Sequence, residues 1–228
     1  MWINDELEFR SLGSSNIGEL PLLGNERVKT SEHPWNEIAA YQLANLLDLP
    51  VPRMRCFLVK KKLLLDGISL RIGSPLLMIE DIGIHGRKYS SVLKAPWNPL
   101  LKARFLAFCV FCGGSEYPEI HERDSRIYLL DLERIFVIVP PNDRDIESLL
   151  VDYKEMTEGV LRDCYDHARE GGFEDEFINA LKQMIARVTV GFAIDLQVPA
   201  SLSYVPQLIF DSILRRCASI NSICAWME

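Results

Sequence analysis

The chain has no long uninterrupted apolar run. Its best candidate, Val188 to Phe210, is broken by Asp195, Gln197, Pro199 and Pro206, which leaves nothing near the roughly twenty apolar residues a bilayer crossing needs. It also lacks a basic surplus: 25 Lys and Arg stand against 32 Asp and Glu, a formal net charge of −7. A nucleic-acid footprint needs a positive face, and the one basic run, Lys60, Lys61 and Lys62, reads as well as a solvated hairpin end. The start, MWINDELEFR, is acidic and lacks the basic start and apolar stretch of a signal peptide. No membrane, no nucleic acid and a cytoplasmic location are therefore expected. His33, His85, His121 and His167 fall at no metal-ligand spacing, and no Gly-x-Ser-x-Gly, His-Glu-x-x-His or Walker pattern occurs. The common hydrolase, zincin and P-loop chemistries are left without support.

What is present describes a globular protein. Its 228 residues are 48% hydrophobic and 25% charged, with ordinary Gly and Pro content, enough for one sizeable core or two lobes sharing an interface. The six cysteines are scattered through apolar segments and read as reduced core thiols. Cys109 and Cys112 form a C-x-x-C, but it lies in the run FLAFCVFC without a second pair, so buried small hydrophobes are the expectation rather than zinc or redox chemistry.

The patterning changes along the chain. Val28, Lys29 and Thr30 close a candidate strand, and SEHPWNEIAAYQLANLLDLPVP follows as a helix over 34–48. Pro34 suits its first turn, Trp35, Ile38, Ala39, Leu43, Leu46 and Leu47 form one stripe, and Pro50 and Pro52 prevent its continuation. MRCFLV, LLLDGISLRI with its Asp66-Gly67 turn signal, and PLLMIE read as strands. After Asn98 the chain turns helical: Leu100 to Cys112, then about 143–155, 158–170, 173–190 and 203–217. Arg126–Leu130 and Ile135–Val139 read as a strand pair around Asp131. The expected organisation is a small lobe at 1–80 (sheet plus helix 34–48), an inter-lobe linker at 81–99 and a helical lobe at 100–228.

The stretch NEIAAYQLANLLDLPVPRMRCFLV resembles the small-lobe signature of HipA-like kinases, in which an Asn-Glu opens a helix that ends in a Leu-x-x-Pro-type turn and runs into a strand. The resemblance extends positionally over roughly residues 10 to 215 and implies an α+β, bilobal protein-kinase-like fold with ATP and Mg2+ as cofactors. Lys29 would then match the lysine that grips nucleotide phosphates and Glu37 the helix acid that pairs with it. The plainer alternative is a surface lysine and a first-turn acid favoured by the helix dipole. MIEDIG, with Glu80 and Asp81, resembles the connection between lobes whose backbone faces adenine. Asp131, after IYLL, would match the metal-holding aspartate, or else cap a strand end.

The catalytic loop breaks the match. The family pattern Asn-x-Asp-Arg-His-x-x-Asn supplies the groups that orient the attacking hydroxyl and hold metal, and phosphoryl transfer depends on such positioning and charge neutralisation. Here the stretch reads GGSEYPEI, with Gly113, Ser115, Tyr117 and Ile120 at the four key places. HERD at 121–124 superficially looks like the protein-kinase His-Arg-Asp, but Asp124 is too close to Asp131 and reads as part of a solvated charged turn. Glu116, Glu119 and Asp124 remain candidate substitute bases. The leading expectation is a pseudokinase acting through a protein partner, with residual ATP binding. The alternatives are an active atypical Ser/Thr-type phosphotransferase using a substitute carboxylate, or an unrelated α+β interaction domain. Phe173, Phe177, Leu208, Ile209 and Trp226 are candidates for either interface or core.

Overall fold

The computed structural model describes residues 2–3, 22–23, 26–29, 34–59, 63–65, 68–70, 75–80, 87–112, 118–123, 126–130, 132, 146–191, 211, 213–218 and 220–221. Strands and helices are both present, so the chain is of mixed α and β type. A five-stranded sheet has the order β1 (Trp2–Ile3), β4 (Met54–Val59), β7 (Pro75–Glu80), β3 (Glu26–Lys29), β2 (Leu22–Leu23), with β1 parallel to β4 and the other pairs antiparallel. Helix α1 (Pro34–Leu46) packs on β7, where Leu76, Leu77 and Met78 are buried. A separate hairpin joins β5 (Leu63–Leu65) to β6 (Ile68–Leu70), with Leu65 opposite Ile68 and the expected Asp66-Gly67 pair between them in the chain.

Helix α1 ends at Leu46, earlier than expected, because the chain closes on itself before reaching Pro50. Leu49 N–H donates to the Ala44 carbonyl (3.0 Å) and Asp48 N–H to that of Asn45 (3.1 Å), while Asp48 adopts φ 55°. This is a Schellman closure with Asp48 in the left-handed position usually given to glycine.

The stretch 81–99 contains β8 (Arg87–Tyr89), a 3-10 turn (Val92–Lys94) and the buried Ala95 and Trp97. The Asn98 side chain then accepts the Leu101 N–H at 2.8 Å and starts α2 (Pro99–Cys112), with Pro99 at the first helical position. Every residue of α2 from Phe105 to Cys112 is buried, since a helix apolar on all sides must be covered on all sides. It packs against α3 (Ile146–Glu170) and α4 (Glu174–Gly191). Buried residues of α1, α2, α3 and α4 and the helical residues 213–218 belong to one apolar cluster. Phe173 and Phe177 are core members, while Leu208, Ile209 and Trp226 lie outside the described residues. Cys109, Cys112, Cys164 and Cys217 are buried free thiols, as expected.

Two further sequence expectations are corrected. The helices expected at 143–155 and 158–170 are the single helix α3, because no residue between them stops it. Gly159 lies inside it, exposed, with nothing within 4 Å of where a Cβ would sit. Gly159→Ala should therefore stabilise the chain by about 0.5–1 kcal/mol through reduced unfolded-state entropy. That gain is readable as a melting-temperature rise of roughly 1–4 °C.

The second correction concerns 119–123, read as part of a loop and a charged turn. These residues form β9 (Glu119–Arg123), the central strand of a second antiparallel sheet, β10–β9–β8. The described partner of β10 (Arg126–Leu130) is β9, with Ile120 opposite Leu129; Ile135–Val139 lies outside the described residues. Charged strands are stable here because the neighbours compensate them. Lys88 and His121 both bond to Glu119, and the Tyr89 hydroxyl donates to Glu122.

Candidate functional site

Of the residues singled out in the sequence, Lys29, Glu37 and Glu80 lie on or against the five-stranded sheet, and Glu119 lies on β9. Lys29 is the last residue of β3, with its Cα opposite Leu77 of β7. Glu37 sits in the first turn of α1, which lies on that same β7, and is fully buried. The strand carrying Lys29 and the helix carrying Glu37 thus share β7 as a neighbour. The side chain of Lys29 lies outside what is described. Glu37 is the most informative of the set, because a buried carboxylate is sustained only by compensating hydrogen bonds or charge.

Glu80 closes β7. Its backbone N–H donates to the Arg53 carbonyl at 2.8 Å, and its carboxylate accepts the Arg53 N–H at 3.2 Å, with the guanidinium Nε at 3.6 Å. The Glu80 N–H is therefore committed to the sheet and not free for a ligand. Asp81, Glu116, Asp124 and Asp131 lie outside the described residues. Leu129 and Leu132 are fully buried, and the Leu129 N–H donates to the Pro50 carbonyl at 2.8 Å. This bond ties β10 to the corner that follows α1.

Among the candidate bases, Glu119 is described in full. It is the first residue of β9 and lies opposite Leu130, the last of β10. Its carboxylate pairs with Lys88 and shares a 2.7 Å hydrogen bond with His121 Nε2. Partial burial pushes the carboxyl up, but the bonds from Lys88 and His121 outweigh it and hold the group below its ordinary value. A carboxylate so held is a weaker proton acceptor. Because its folded value is depressed, Glu119 contributes stability above its ordinary pKa of 4.5 and loses it as pH falls through the folded value. Glu119→Gln should cost under about 1 kcal/mol at neutral pH, as expected for a partly exposed pair. The gap between variant and parent should close below pH 4.5 in urea titrations run across pH.

Sequence reasoning missed Arg216. Its side chain, 2% exposed, reaches from the C-terminal helical residues to the end of α2. Nη1 donates to the Phe111 carbonyl at 2.7 Å and to that of Cys112. The last carbonyls of a helix have no intrahelical donor and carry the negative end of its dipole, so a guanidinium satisfies both requirements. It thereby fixes the point from which the GGSEY segment departs. No local signal marks it, since its partners lie 105 and 104 residues earlier.

Among the described residues no group of three or more His, Cys, Asp or Glu side chains could hold a metal ion, and no helix is long and apolar enough to cross a membrane. Comparison of the sequence with protein-family profiles and with curated proteins finds no match. Comparison with solved structures finds a similarity to HipA of Shewanella oneidensis MR-1, from a toxin–antitoxin system solved with HipB and operator DNA. The match covers 95% of this chain and 67% of that one, at 11% identity and a TM-score of 0.46. A likeness of that extent identifies no activity.

Proposed function

We propose that the chain is a pseudokinase of the HipA-like type, which holds ATP and Mg2+ between its five-stranded sheet and its helices and acts through a protein partner. The observation that supports this best is Glu37, a fully buried carboxylate on the helix that packs beside the strand neighbouring Lys29. In this reading Lys29 is its compensating charge and faces the nucleotide phosphates, while Asp131 would hold the metal. Adenine would meet the backbone around Asp81, since the Glu80 N–H is already bonded to Arg53. When bound, the metal would neutralise phosphate charge; the chain's own residues would position it.

Impaired transfer follows from the loop. Ser115 and Ile120 stand where the family pattern has its base and its metal-binding amide, and Ile120 is buried in mid-strand opposite Leu129. Loss of a general base alone costs about 10²–10⁴ in rate.

The test is a melting curve of the full chain with magnesium and millimolar ATP. A ligand at about 100 times its Kd adds roughly 2.7 kcal/mol, a rise of several degrees for a chain of this size. The expected result is such a rise, absent in Asp131→Ala, with no phosphate transferred to the chain or to a generic substrate. No rise would remove the nucleotide and leave an interaction domain. Transfer that disappears in Glu119→Gln would replace the pseudokinase by an active enzyme.

A further inference from the structure

The corner between α1 and β4 holds an unexplained choice of residue. Asp48 occupies a left-handed conformation, φ 55°, where a glycine would be free of steric cost. A carboxylate is also the wrong charge for a helix C-terminus, which carries the negative end of the dipole. Two arginines account for it. Arg187 of α4 places Nη1 3.2 Å from Asp48 Oδ2 and donates from the same nitrogen to the Leu46 carbonyl. Arg104 of α2 places Nη1 3.6 Å from the same Asp48 oxygen. Two residues further on, the Pro50 carbonyl accepts the Leu129 N–H of β10.

We propose that residues 46–50 form a clamp that locks the C-terminal end of α1 onto α2, α4 and β10, so that α1 is held as part of the helical body and does not tilt against it. Each ion pair here is partly exposed, with the Asp48 side chain 62% accessible, and such pairs act weakly alone. Their grouping on one corner, together with two backbone carbonyls satisfied from other elements, makes the lock. Its consequence for Glu37 rests on the nucleotide reading above, since a fixed α1 means an acid held in place before any ligand arrives. The clamp itself is independent of that reading and is tested without nucleotide.

The test is hydrogen exchange of the full chain, read peptide by peptide, for Arg187→Gln, the double variant Arg104→Gln/Arg187→Gln, and Asp48→Asn. Amides in the last two turns of α1 should exchange roughly five- to tenfold faster in the double variant, while those of α3 keep their rates. Asp48→Asn, which tolerates the same backbone conformation but lacks the charge, should give a smaller increase at the same amides. Should the double variant fail to fold, the parent chain at about 1 M against about 0.05 M salt screens the same charges and should show the same local acceleration. Acceleration below twofold in both experiments, or acceleration shared equally by α3, overturns the clamp. Failure of the nucleotide reading would leave these rates unchanged, because no nucleotide is present.

Discussion

Replacing Arg216 with methionine lowers the melting temperature by roughly 5–15 °C, from a loss of about 2–4 kcal/mol. Methionine has comparable length and fills the apolar space, so the change removes the charge and the donors rather than the volume. Two carbonyls at the end of α2, those of Phe111 and Cys112, then lose their donor inside the core. Each buried acceptor left without a partner costs about 1–3 kcal/mol, and the terminal dipole of α2 loses its counter-charge as well. Against this stands the desolvation of a buried guanidinium, which methionine relieves. The bonds win in this setting because the charge sits on the helix terminus that favours it most. Arg216→Lys should recover less than half the loss, since a single ammonium cannot keep the planar geometry of the guanidinium. A calorimetric scan of the three proteins checks this; a change under about 2 °C for methionine would mean that desolvation cancels the bonds.

Gly171→Ala should destabilise more than Gly172→Ala, although only Gly172 has a left-handed backbone. The two glycines close α3: Gly172 N–H donates to the Arg169 carbonyl and Phe173 N–H to that of Ala168, with Gly172 at φ 68°. A Cβ at Gly172 meets nothing within 4 Å, so alanine there costs only the conformational penalty, about 1 kcal/mol. A Cβ at Gly171 would lie 2.1 Å from Phe173 Cε1 and 3.0 Å from Leu93 Cδ2. The Phe173 ring is buried and cannot swing away without displacing the core, so overpacking of about 1–3 kcal/mol is expected. Urea midpoints with unchanged slopes measure both directly.

The elements legible in the sequence are those whose signal is local. The stripe and Pro34 of α1, the unbroken apolar run of α2, and the Asp-Gly pair between β5 and β6 each carry their instruction within a few residues. The elements that were misread depend on partners elsewhere in the chain. EIHER looks like a turn because four of its five residues are charged or titratable, yet Lys88 and Tyr89, some thirty residues earlier, turn it into a central strand. Helix α1 ends two residues short of the expected point in a closure with Asp48 in the left-handed position, and nothing in the local sequence shows Arg104 and Arg187, whose guanidinium groups meet its carboxylate. For the candidate site, the strand position of Lys29 could be expected from pattern, whereas the full burial of Glu37, which lies outside the apolar stripe of α1, and the confinement of Glu119 between Lys88 and His121 could not.

The proposed binding of nucleotide between the sheet and the helices is read out by photolabelling with azido-ATP in the presence of magnesium, followed by peptide mapping. Label is expected in the peptides that cover 75–81 and 26–37, suppressed by unmodified ATP and reduced in Asp131→Ala. Label that ATP does not suppress, or suppressible label confined to the β8–β9–β10 sheet, would contradict it.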